Sequence, residues 1–183
     1  MYKGRMPATL DLRYPVGQFE MPAPVTAEMR SHAIDIIAAL PARLREAVAG
    51  LTDPQLDTPY RPGGWTVRQV VHHLADSHMN SYSRMKVAQT ERSPTIMPYD
   101  EKAWAELPDM RLPIAASLGI LDGLHDRWVV LLRALQPADY AREFLHPEYP
   151  GAPRTIEWVV QHYAWHSQHH VGHVTSLRQR EGW

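Results

Sequence analysis

The chain contains no cysteine. That excludes disulfides, thiolate metal ligands and a cysteine nucleophile, so any thiol chemistry must use a thiol supplied from outside. Long apolar runs are lacking as well. No stretch reaches the ~18 apolar residues of a membrane span, and the opening MYKGRMPATLDLRYP has no apolar secretory core. The expectation is a cytoplasmic protein that does not engage a membrane. Nor does one sign of charge dominate. The 19 Lys and Arg stand against 20 Asp and Glu, a formal charge of −1, with no block of like charge. A nucleic-acid binder usually carries a basic patch, so this balance argues against that class. What the chain does have is 11 His, 16 Pro and 6 Trp. Of these, the histidines bear most directly on function.

A length of 183 residues fits one domain over residues 1–183, with 1–25 as an extended N-terminal segment. Helical periodicity appears in four long segments, without a convincing alternating strand run, which gives an all-α four-helix bundle. The first segment runs from about Thr26 to Ala49. Met29, Ala33, Ile36, Leu40, Leu44 and Val48 are its inward stripe, Pro41 is expected to bend it, and Gly50 suits the left-handed closing position. The second begins in GGWTVRQVV, where Thr66 and Gln69 have capping-box spacing, and fades near Thr90. Residues 91–112 form a long, proline-punctuated connection with one short helix opened by Asp100. The third long helix spans about Pro113 to Leu135, and the fourth runs from Thr155 to about Arg180.

The fourth helix carries WHSQHHVGHV at residues 165–174, with His162 one turn earlier. Ile156, Val159, Val160, Tyr163, Val174 and Leu177 define its inward side, and steps of three or four bridge Tyr163 to Val174 through His166 and His170. His162, His169 and His173 fall on the flank, toward solvent or a helix boundary. Two imidazoles four residues apart on one face can share a metal ion. The second helix offers HHLADSH. Periodicity places His78 in its apolar stripe, His73 on the stripe's edge and His72 outward, so a third ligand stays open between His73 and His78.

QLDTPYRPGGWTVRQVVHHLADSHMNSY, PYDEKAW, LHDRWVVLLRAL and WHSQHHVGHV together resemble the YfiT-like branch of the DinB-like superfamily. Proteins of that group are catalogued as metal-dependent hydrolases, and some as bacillithiol S-transferases. The resemblance implies an up-down-down-up four-helix bundle, a homodimer, and one divalent ion per chain held by three histidines. The ligand on the second helix is then the histidine directly before Leu-Ala-Asp, His73. The other two map to His166 and His170, which leaves His78 as a core histidine. The N-terminal extension and Gln168 are expected to lie away from the site.

Three neutral imidazoles without a thiolate describe an open, catalytic type of zinc site; nickel, cobalt or manganese could also bind such a set. Two uses of the open position compete. Hydrolysis uses water activated by the ion, and such sites generally keep a carboxylate nearby. Here no acid lies between His166 and His170, and Asp76, one turn after His73, is the nearest in sequence. Thiol transfer needs no such acid, because coordination itself deprotonates a thiol. The missing acid favours transfer of a small thiol such as bacillithiol to an electrophilic small molecule. A metal-stabilised bundle that binds a small molecule without turnover is the third reading, and it predicts a closed site completed by protein. No general acid or base is assigned. Trp65, Trp128 and Trp158 are expected to pack, and His125 to sit in the core or at its boundary. Arg68 and Arg127 are candidates for a cosubstrate's carboxylates, and Tyr60 and Arg61 for the mouth of the site.

Overall fold

The computed structural model describes residues 11–149 and 151–183. Four long helices dominate it: α1 (Ala27–Val48), α3 (Val67–Thr90), α5 (Ala115–Ala134) and α6 (Ile156–Glu181). Two single-turn helices, α2 (Asp53–Leu56) and α4 (Glu101–Trp104), lie in the connections. Each of three long helices starts where a side chain satisfies a free amide. Thr26 accepts from Met29 N, Thr66 from Gln69 N, and Thr155 from Trp158 N. At Thr66 the reciprocal bond is also present, because Gln69 Oε1 accepts from the Thr66 amide at 2.9 Å. Asp100 caps α4 by accepting from the amides of Lys102 and Ala103. α2 has no counterpart in the periodicity, since a single turn is too short to show one.

α1 packs against α5 and α6, and α3 against α5 and α6, which leaves α1 and α3 across a diagonal. Successive long helices are therefore not all neighbours, and the long connection from Glu91 to Ile114 gives the expected up-down-down-up course its room. α1 is a single helix that runs through Pro41, and its buried face includes Ile34 and Ile37 rather than Met29, which is 37% exposed. Gly50 closes that helix at φ 74°, a backbone conformation that suits glycine. Two apolar clusters fill the bundle, one around Ile37, Trp128 and Ile156, the other around Leu44, Leu74 and Leu121. The buried polar residues include eight histidines: His72, His73, His78, His125, His166, His169, His170 and His173.

Two strands of two residues, β1 (Glu143–Phe144) and β2 (Arg154–Thr155), pair antiparallel beside the start of α6. Alternation cannot register over so short a run. Part of the expected N-terminal segment, residues 1–10, lies outside the described residues. From Asp11 onward the chain follows α6: Trp165 Nε1 donates to Gly17 O at 3.0 Å, and Phe19 packs edge-on against His162 and Trp158. At the other end of α6, Arg180 donates to Tyr60 O at 2.7 Å and Arg178 to the carbonyls of Ala47 and Ala49.

Candidate metal centre

α3 and α6 bring His73, His166 and His170 together, with one nitrogen from each ring inside a span of 4.8 Å. His73 Nε2 and His166 Nε2 are 3.3 Å apart. A tetrahedral ion with bonds of about 2.0–2.1 Å spaces its ligand nitrogens about 3.3 Å apart, so the pair has the separation such an ion requires. The donor set is neutral. Burial pushes the His73 imidazolium down to about 4, with His173 adding to the effect. Burial also holds His166 and His170 well below the ordinary histidine value, and neighbouring imidazoles deepen it. Rings that resist protonation keep their lone pairs for a cation.

The three rings line a cavity of about 720 Å³. Tyr60, Arg61, Gly63 and Gly64 contribute from the turn before α3, and Trp65 lies 4.6 Å from His73, centroid to centroid. Glu101 and Lys102 come from α4; Glu148 and Tyr149 come from the segment between β1 and β2. Burial, and then Glu148, raise the Glu101 carboxyl. Tyr163, buried, bonds Ser77 Oγ at 3.2 Å, and both line the wall. Tyr60 and Arg61 thus stand where the mouth was expected.

Several expectations need correction. Of the two flank settings expected for His169 and His173, solvent or a boundary, the structure shows a boundary, with both rings buried. Their cover is the segment from Arg13 to Phe19. Tyr14 packs on His169 at 5.9 Å, and His173 Nε2 donates to Arg13 O at 3.1 Å. Arg13 and Tyr14 line the cavity, so the N-terminal extension does reach the site. His169, His170 and His173 form a second compact group that shares His170 with the first. His162 is also largely covered, stacked on Trp158. His72 is buried rather than outward, because the connection to α5 folds over it: its ring bonds Ser117 Oγ at 2.7 Å and Leu112 O at 3.0 Å.

Arg68 is committed elsewhere, bonded to Asp53, Asp57 and Leu112 O. Arg127 lies over the Tyr82 ring. Neither lines the cavity, and neither does Asp76. Asp76 is half-buried, and its carboxyl is raised to about 6 by burial and then Asp109. Neither compact histidine group includes a carboxylate. Gln168 lies away from the cavity, as expected, in a groove shared with Val16 and Ile36. His78 and His125 are core residues, and periodicity missed what they touch. His78 Nε2 is 3.2 Å from His166 Nδ1, and His78 Nδ1 is 3.0 Å from His125 Nε2.

A four-helix bundle whose interior gathers imidazoles from two facing helices has the architecture in which helical proteins build metal sites. The sequence profile of the DinB superfamily matches residues 36–174, and the chain belongs to that superfamily. A protein of Bacillus mycoides (strain KBAB4) named "Putative metal-dependent hydrolase" is 54% identical over 173 residues, which cover 94% of this chain and 99% of that relative. A Bacillus cereus (strain B4264) protein of the same name has the same identity and coverage. Among solved structures, YfiT from Bacillus subtilis superposes with a TM-score of 0.90 at 49% identity, covering 94% of this chain and 98% of that one. It is described as "a probable metal-dependent hydrolase with an unusual four-helix bundle topology".

Proposed function

We propose that this protein is a divalent-metal-dependent enzyme in which His73, His166 and His170 hold the ion, zinc first and nickel as the alternative. The observation that carries the reading is the 3.3 Å approach of two Nε2 atoms, with His170 beside them, on the wall of a large cavity. Between neutral rings the two nitrogens either share one N–H as a hydrogen bond or turn both lone pairs to a common cation, and the spacing fits bonds of about 2.0–2.1 Å to such an ion. The names of the relatives support metal dependence.

The reaction we infer is transfer of a low-molecular-weight thiol such as bacillithiol to an electrophilic small molecule. Bound here, the ion would supply Lewis acidity that holds an incoming thiol as its thiolate. The chain contributes the enclosure. Trp65 and Tyr60 give the cavity apolar walls, the segment that begins at Arg13 shields one side, and Arg61, whose Nε has no hydrogen-bond partner among the described residues, offers a cationic group to an anionic cosubstrate. No carboxylate joins either imidazole group, and Asp76 stands off the cavity. Glu101 and Glu148 line the cavity from α4 and the β1–β2 segment but belong to neither imidazole group, so a route that needs no base beside the ion suits this arrangement better than hydrolysis. Hydrolysis remains the second reading, favoured by the names of the relatives. The homodimer is part of the same proposal and rests on the family resemblance.

The test is turnover by the metal-loaded protein with a chromogenic electrophile, comparing bacillithiol, cysteine and no thiol. Product above background only with thiol supports transfer. Product without thiol supports hydrolysis and overturns transfer. Bound metal without turnover under any condition overturns both.

A further inference from the structure

The ring of His166 is held from behind by a chain of contacts that starts at a proline. In an α-helix the carbonyl of residue 37 accepts the amide of residue 41. Here residue 41 is Pro41, inside α1, which has no amide hydrogen. The Ile37 carbonyl therefore loses its partner within the helix, and His125 Nδ1 reaches it from α5 at 2.8 Å.

A carbonyl oxygen only accepts, so the hydrogen on His125 lies on Nδ1, and Nε2 of the neutral ring is a bare acceptor. His78 Nδ1, 3.0 Å away, must then donate, which leaves His78 Nε2 bare. His166 Nδ1, 3.2 Å from that atom, donates in turn. The lone pair of His166 is thereby left on Nε2, the atom that faces His73 Nε2. All three rings are buried, and a neutral imidazole has one N–H to give and one lone pair to receive, as the relay requires.

We propose that His78 and His125 are positioning residues: a relay from the carbonyl freed by Pro41 fixes which nitrogen of His166 is open to a cation. Partners of this kind commonly orient metal-binding imidazoles. Here the orienting group lies two rings away, on a different helix. The role toward a cation rests on the metal reading above; the tautomers do not.

The test begins with the metal-free, full-length protein labelled with 15N in its histidines. Long-range 1H–15N correlation spectra should give the Nδ1–H form at His125, His78 and His166. The Nε2–H form at His78 or His166 overturns the proposal. The second arm compares His125→Gln, whose side-chain oxygen can accept from His78, with His125→Leu, which cannot. Both are assayed by zinc titration, with folding monitored by circular dichroism. His125→Leu should lose the single tautomer at His166 and bind zinc roughly 10- to 100-fold more weakly, while His125→Gln stays close to the unaltered protein. Equal loss in both variants, or none in either, overturns the positioning role. If His125→Leu does not fold, the unaltered protein's spectra and the Gln variant still decide. Failure of the unaltered protein to bind zinc would instead overturn the metal reading, and the spectra, which need no ion, tell the two apart.

Discussion

Gly172 of α6 and Pro15 meet so closely that a methyl group on the glycine would stand 3.1 Å from the proline Cγ, and 3.1 Å from Val16 Cγ1. The contact seats the covering segment on the helix that carries His169 and His173. Gly172→Leu should favour the helix by propensity, since glycine is poor in a helix interior by about 1 kcal/mol, yet lift the segment away. The expected result is faster limited proteolysis between residues 13 and 19, with helix content unchanged by circular dichroism. Unchanged cleavage would mean the segment is held by its other contacts alone.

Metal content after purification separates the two histidine groups. His73→Ala and His166→Ala remove members of the first group only, and His170→Ala affects both. All three should lose the bound ion, while His169→Ala retains it. Elemental analysis of the purified variants checks this. Loss with His169→Ala and retention with His73→Ala would move the ion to the second group.

Arg68 separates structure from substrate binding. Its guanidinium links α3 to both carboxylates at α2 and to the Leu112 carbonyl before α5. Arg68→Met should destabilise the fold by about 1 kcal/mol, because the guanidinium is buried while its two carboxylate partners are largely exposed to screening water. In the proposed transfer reaction the KM for thiol should stay unchanged, because Arg68 does not line the cavity. Denaturant unfolding and steady-state kinetics check the two halves separately.

Acid should weaken the metal-free fold. Burial, reinforced by Arg154, depresses the His162 imidazolium to about 4 from an ordinary 6.5. Between those values the unfolded chain binds a proton that the folded ring refuses. Stability from this residue is complete above pH 6.5, falls as the pH drops toward 4, and is flat below that. His162 Nδ1 has no hydrogen-bond partner, so His162→Phe forfeits none at that atom. The variant should reduce the slope of stability against pH by one proton, about 1.4 kcal/mol per pH unit at most. Denaturant titrations at pH 7, 6 and 5 measure it.

The parts that were legible in the sequence are those decided locally. Thr26, Thr66, Thr155 and Asp100 cap the amides a few residues ahead, so helix starts could be read directly. His166 and His170 could be placed inward because Tyr163 and Val174 bracket them on one face. His73 against His78 could not be decided this way. Both are buried, and an edge position facing a neighbouring helix looks the same in the pattern as one facing water. The burial of His72, His169 and His173 depends on irregular segments laid over them, and such segments carry no period. The pairing of Ile37 with His125 was hidden for a related reason: Pro41 reads as a possible bend, not as a carbonyl left for a ring 88 residues away.

The last turn of α6 acts at a distance from its own position. Tyr60 lies flat on His173, centroids 3.8 Å apart and planes within 17°, and its carbonyl is gripped by Arg180. Arg178 grips the loop that ends α1 in the same way. A chain cut short by half a dozen residues would keep every imidazole yet lose the fasteners of one cavity wall. Its shortfall would then surface as slack at the edge of the cavity, with the clustered imidazoles themselves untouched.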